Sequence, residues 1–99
     1  MIVTKTKAGN ALTVALEGRM DAVSAPKLEE ELKAELDGVT ELVFDLEKLE
    51  YTSSAGLRVL LSMQKAMNSK GSMVIRNVRP EIMEIFDMVG FTDLLNIEE

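Results

Sequence analysis

The chain has no histidine, no cysteine and no tryptophan among its 99 residues. Without an imidazole there is no Ser-His-Asp arrangement, and without a thiol there is no cysteine nucleophile, no thiolate metal site and no disulfide. Most hydrolase chemistry is excluded on these grounds, and no metal or cofactor is expected. No segment approaches the run of about 18 apolar residues that a membrane span requires. The opening Met1-Ile-Val-Thr-Lys-Thr-Lys also lacks the apolar stretch of a signal peptide. A cytoplasmic protein with no membrane partner is expected, and the absence of cysteine is compatible with a reducing compartment. Basic residues are scarce: 11 Lys and Arg stand against 17 Asp and Glu, a net charge of −6. That balance opposes docking on phosphate backbones or anionic lipid, so no nucleic-acid partner is expected.

What remains is a chain of ordinary globular composition, 46% hydrophobic, long enough for one core and too short for two. A single domain over 1–99 follows. Ile2 to Lys7 and Ala11 to Glu17 read as strands, the second because Leu12, Val14 and Leu16 alternate with Ala11, Thr13 and Ala15. Gly9-Asn10 between them is a hairpin signal. Ser24 is a candidate N-cap and Pro26 suits a first helical turn. Leu28, Leu32 and Leu36 then mark one face of a helix that ends at Gly38.

Glu41 to Leu46 reads as a central strand, covered on at least part of both faces. A second helix from about Ala55 to Ser69 carries a polar stripe of Arg58, Ser62, Lys65 and Ser69 on an otherwise apolar surface. Ser72 to Arg76 is a strand, Pro80 opens a helix carrying Ile82, Ile85, Phe86 and Val89 up to Gly90, and Leu94 to Ile97 is a candidate last strand. Met63, Met67 and Met83 fall at core-facing spacings, as gap-fillers. The fold class is α/β: a mixed sheet of four or five strands with amphipathic helices on one face or both.

The passage Asp45-Leu-Glu-Lys-Leu-Glu-Tyr-Thr-Ser-Ser-Ala-Gly-Leu-Arg-Val-Leu-Leu61 turns from strand to helix through two hydroxyls. On this reading Ser54 is the N-cap and Ala55, Gly56 and Leu57 open the helix. Capping alone could account for Ser54. A helix N-terminus also has free N–H groups and positive dipole charge, so a phosphoryl group attached there would be held, not expelled. Gly56 either keeps the approach uncrowded or allows close packing of helix on sheet.

These residues resemble the STAS domains, and among them the bacterial anti-sigma factor antagonists. The family typically has Asp-Ser-Ser/Ala/Thr-Gly-Leu where this chain has Ser53-Ser-Ala-Gly-Leu57. Gly18-Arg-Met-Asp21 is similar to the family's Gly-x-Leu/Ile-Asp, and Phe86-Asp-Met-Val-Gly-Phe91 to its Phe-x-x-x-Gly-Leu. The resemblance places Ser54 on the serine that such antagonists have phosphorylated, Ser53 where the family often has Asp, and Ala55 on its variable small position. It places Asp21 in a loop bordering the same surface. Asp21, Ser53, Ser54, Ala55, Gly56 and Arg58 are the implied partner-binding residues.

The implied mechanism is partner switching, not catalysis. The unmodified domain would bind an anti-sigma factor serine kinase and so release a sigma factor. The kinase, holding ATP and Mg²⁺ as its own cofactors, would phosphorylate Ser54 and dissolve the complex, and a phosphatase would reactivate the antagonist. Two other readings compete. A response-regulator receiver would use Asp45, but the carboxylates it needs after the first strand and a lysine near the last are missing. A freestanding STAS subunit of, for example, a transport system would use Ser54 only as a cap or contact to a non-kinase partner.

Overall fold

The computed structural model describes residues 1–98. Strands β1 (Ile2–Ala8) and β2 (Ala11–Met20) form an antiparallel hairpin, and β3 (Glu41–Thr52) and β4 (Ser72–Arg76) extend the sheet in parallel. The order is β1-β2-β3-β4. Helix α1 (Ser24–Glu35) links β2 to β3, α2 (Ser54–Asn68) links β3 to β4, and α3 (Pro80–Met88) leads into a 3-10 turn at Phe91–Asp93. Both parallel crossovers step in the same direction across the sheet. Since such crossovers are right-handed, α1 and α2 must lie on the same face.

The register aligns the apolar positions beneath those helices. Leu12, Leu42 and Met73 form one row across the sheet, and Val14, Phe44 and Ile75 the next; all are buried. From above, α1 adds Ala25, Leu28 and Leu32 and α2 adds Val59, Leu60, Met63 and Met67. The opposite face is not covered to the same degree. Its rows Thr13–Val43–Val74 and Ala15–Asp45–Arg76 are only half-buried, so β3 is enclosed on one side and merely flanked on the other.

Three boundaries differ from the sequence pattern, each for a local reason. β3 runs on to Thr52 because two register irregularities, opposite Ala15–Glu17 and opposite Gly18–Arg19, each place one extra residue in β3 and break its period-two alternation, while β2 continues beside it to Met20. Gly18 takes φ of 98° at the second, a backbone region favouring glycine. The segment Leu94 to Ile97 forms no strand: it is reduced to an isolated bridge between Ile97 and Ile75, leaving a four-stranded sheet. Ser24 does not cap α1 either. The carboxylate of Asp21 accepts the N–H groups of Val23 (3.0 Å) and Ser24 (2.9 Å), and the Asp21 carbonyl accepts the N–H of Ala25. The Ser24 hydroxyl in turn accepts the Asp21 N–H at 3.0 Å. This reciprocal pair is a capping box with Asp21 as the capping residue.

Helix α3 is short and held by two buried side chains, Ile82 and Phe86, the latter stacked at 6.0 Å on Phe91. Phe86→Ala is expected to cost about 3–5 kcal/mol, read from the midpoint and slope of urea unfolding. A cost near zero would show that α3 contributes nothing to the common core.

Candidate functional site

The candidate site lies at the C-terminal end of the parallel strands, where β2 and β3 deliver their chains into α1 and α2. Met20 is paired with Thr52, and the Ser53 N–H donates to the Met20 carbonyl at 2.8 Å. The backbone of the serine pair is thus tied to the strand that precedes Asp21. Glu29 on α1 meets Ser62 on α2, whose hydroxyl is the chief cause holding the Glu29 carboxyl below its ordinary value, with Lys33 adding to the shift. Both helices start from parallel neighbouring strands and run in the same direction. Because Met20 and Thr52 are paired neighbours, the Asp21 turn that follows the first and the serine pair that follows the second leave the sheet side by side.

Ser53, not Ser54, is the N-cap of α2. Ser53 has extended geometry (φ −88°, ψ 175°), its side chain accepts the Gly56 N–H at 3.4 Å, and its carbonyl accepts the Leu57 N–H at 3.1 Å. Ser54 is the first helical residue and is exposed. Among the described residues, nothing hydrogen-bonds its hydroxyl. The expectation that Ser54 caps the helix is corrected by one residue: the chain leaves its extended conformation at 53, so the capping geometry falls there. Capping accounts for Ser53 and leaves the hydroxyl of Ser54 free.

Of the two roles open to Gly56, close packing is the one found: it is buried and, unlike the contact that the resemblance implies, offers no exposed surface. A Cβ there would collide with the Thr52 Oγ1 and come within 2.8 Å of Met20 Cε and 2.9 Å of Met20 Cγ. Its role is close approach of helix to sheet. Thr52, the buried polar residue beneath it, donates its hydroxyl to the Ser53 carbonyl at 3.2 Å. Ala55 is half-buried against the core, whereas Arg58, one turn beyond Ser54, is exposed. Asp21 is half-buried, with its carboxylate committed to the capping box.

Sequence reading did not single out Arg19 and Tyr51, whose guanidinium and ring stack at 4.2 Å beside this end of the sheet. They are opposite one another only because of the second register shift. No pattern in the sequence pairs them. Among the described residues no group of three or more acidic side chains gathers to hold a metal ion, and no helix is long and apolar enough to cross a membrane.

A family model described as "Mlab, STAS domain" matches residues 3–96. The chain belongs to the STAS-domain family. It is 35% identical over 99 residues to a protein of Bordetella bronchiseptica named as the anti-sigma factor antagonist BtrV, covering 98% of this chain and 85% of that one. It is 31% identical over 88 residues to the anti-sigma-B factor antagonist of Staphylococcus aureus, covering 87% of this chain and 82% of that one. The solved structure of the Bacillus cell fate determinant SpoIIAA in its phosphorylated form shares the fold, with a TM-score of 0.78 at 15% identity over 99% of this chain and 92% of that one.

Two outcomes test the STAS site geometry. Ser53→Ala should destabilise the fold by about 0.5–1 kcal/mol while Ser54→Ala stays within about 0.5 kcal/mol of the parent, both by urea unfolding. The reverse order would return the cap to Ser54. The carboxyl of Asp21 is held below its ordinary value of 3.8, first by the Ser24 N–H, then by the Val23 N–H and the Ser24 hydroxyl. A depressed carboxyl stabilises the fold above its unfolded-state value, and that contribution is lost as pH falls through the folded-state value. Asp21→Asn, whose amide oxygen can still cap, should be less stable than the parent at neutral pH, with the two converging as the pH drops below 3.8.

Proposed function

We propose that this protein is an anti-sigma factor antagonist that binds an anti-sigma factor serine kinase, frees the sigma factor, and is switched off by phosphorylation of Ser54. The observation that carries the reading is the division of labour between the two serines. Ser53 takes the structural cap, and Ser54 stands exposed at the first position of α2. Its hydroxyl is free for a phosphoryl group. The curated relatives that match most of the chain are named as anti-sigma factor antagonists, and SpoIIAA, which shares the fold, has a phosphorylated form.

Phosphorylation adds about −1.5 to −2 charges and three acceptor oxygens. At the first turn of α2 that charge meets free backbone N–H groups and the positive end of the helix dipole, with Arg58 one turn further on, so the fold tolerates it. Inside a packed interface the same charge loses water, and the complex is weakened. On this reading Ser53, Ser54 and Arg58 form the contact surface, with the Asp21 turn at its edge. ATP and Mg²⁺ belong to the kinase, a phosphatase restores the hydroxyl, and the exchange takes place in the cytoplasm. The protein acts as substrate and ligand, not as enzyme.

Incubation with ATP, Mg²⁺ and the anti-sigma kinase encoded nearest this chain, followed by intact-mass measurement, tests the reading. One phosphate is expected on the parent and on Ser53→Ala, and none on Ser54→Ala. Ser54→Asp should bind the kinase at least about tenfold more weakly, about 1.4 kcal/mol, while remaining folded. A parent that binds this kinase and gains no mass would leave Ser54 as a contact only, and the switch would be wrong.

A further inference from the structure

Three of the seven large hydrophobic side chains exposed among the described residues fall in one short stretch: Met88 (83%), Val89 (46%) and Leu94 (57%). None of them packs into the core. Met88 lies on the outward side of α3, in line with Glu81 and Glu84 and opposite the buried Ile82 and Phe86. The chain turns at Gly90, with φ of 79°. The 3-10 turn beyond it is pinned to the helix by the contact of Phe91 with Phe86, and the Leu94 N–H is donated to the Phe91 carbonyl. The three side chains therefore stand on a firm corner of the fold. Helix α3 starts beside the C-terminal end of β4, where Arg79 Nε donates to the Glu47 carbonyl at 2.8 Å, and after the corner the chain returns parallel to β4, with Ile97 bridging Ile75. The corner thus lies where the parallel strands begin, at the opposite end of the sheet from Ser54.

The charge of this region is one-sided. Residues 1–79 contain all 11 Lys and Arg and 11 of the 17 Asp and Glu, so residues 80–99 carry the entire net charge of −6. Glu84, Asp87 and Asp93, which flank the apolar side chains in sequence, make no ion pair and no side-chain hydrogen bond among the described residues. Asp87 stands in the last turn of α3, where the helix dipole disfavours a negative charge and no basic residue offsets it. Neither the apolar nor the acidic side chains serve the fold at these positions. An apolar patch rimmed by acid repels nucleic acid and anionic lipid. It fits a helix whose apolar face is flanked by Lys and Arg, a contact to which flexible Met and Leu side chains adapt.

We propose that this corner is a second docking surface, independent of the Ser54 switch, for a basic amphipathic helix of a partner protein. The probe is a synthetic Leu/Lys peptide of about 18 residues with helical periodicity, set against a scrambled peptide of the same composition, which keeps the charge and loses the apolar face. The parent should bind the periodic peptide at least about tenfold more tightly than the scrambled one, with backbone amide shifts at 84–95 and none at 53–58. Met88→Ser combined with Leu94→Ser should lose at least about tenfold in affinity. Asp87→Asn combined with Asp93→Asn should bind more weakly and lose most of the salt dependence, while its melting temperature does not fall below the parent's. Glu30→Gln combined with Glu50→Gln, which removes the same charge elsewhere, should bind as the parent does. Equal binding of the two peptides, equal binding by the parent and the double serine variant, or shifts centred on 53–58 would overturn the proposal. A parent that sediments as a dimer, with the double serine variant a monomer, would overturn it as well, assigning the patch to a second copy of this chain.

Discussion

The start of α2 lies close on the end of the sheet, and that is possible only because residue 56 has no Cβ. The space is taken by Thr52 and by the side chain of Met20. This contact governs the geometry of the site. It brings the first turn of α2 down onto the paired ends of β2 and β3, and it places Ser53 where its N–H reaches the Met20 carbonyl. From there the cap, the exposure of Ser54 and the height of the Asp21 turn follow. The two extra residues that the register shifts place in β3 are part of the same constraint, because they determine that Met20 meets Thr52.

Within that geometry the adjacent hydroxyls have different work. A helix start has unsatisfied N–H groups that require a capping acceptor, and Ser53 supplies it. The next residue is already helical and is exposed, so its side chain is free of backbone duty. On the proposed reading, a phosphoryl group there would stand at the favourable end of a dipole without displacing a cap, so that modification would not disturb folding. The position that the family often fills with Asp is filled here by a neutral cap, so no fixed carboxylate stands directly before Ser54.

The one-sided arrangement of helices has a consequence for recognition. Because both crossovers turn the same way, α1 and α2 run side by side from one end of the sheet, and the two strand-to-helix turns emerge together. A partner approaching Ser54 meets the Asp21 turn as well. That turn is stiffened by the capping box, and Lys5 of β1 ties the far end of α1 to the sheet through Glu35 at 2.8 Å and Glu31 at 3.7 Å.

The sequence by itself determined the order of elements, the hairpin, the apolar faces of the helices and the segment that carries the site. These are local properties: period-two and period-3.6 patterns, turn residues and a strand-to-helix motif of a few residues. The likeness of three short passages to the STAS family also lay in the sequence and made Ser54 the candidate. Only the tertiary structure decided which serine caps α2, that Asp21 rather than Ser24 caps α1, that Gly56 is buried, and that Leu94 to Ile97 makes a bridge and not a strand. The physical reason is common to all four. Each depends on how far an element is advanced against its neighbour, by the register shifts of β3 against β2, by the approach of α2 to Met20, or by the space left beside β4. A displacement of one residue changes the role of a side chain while leaving the local pattern of the sequence unchanged.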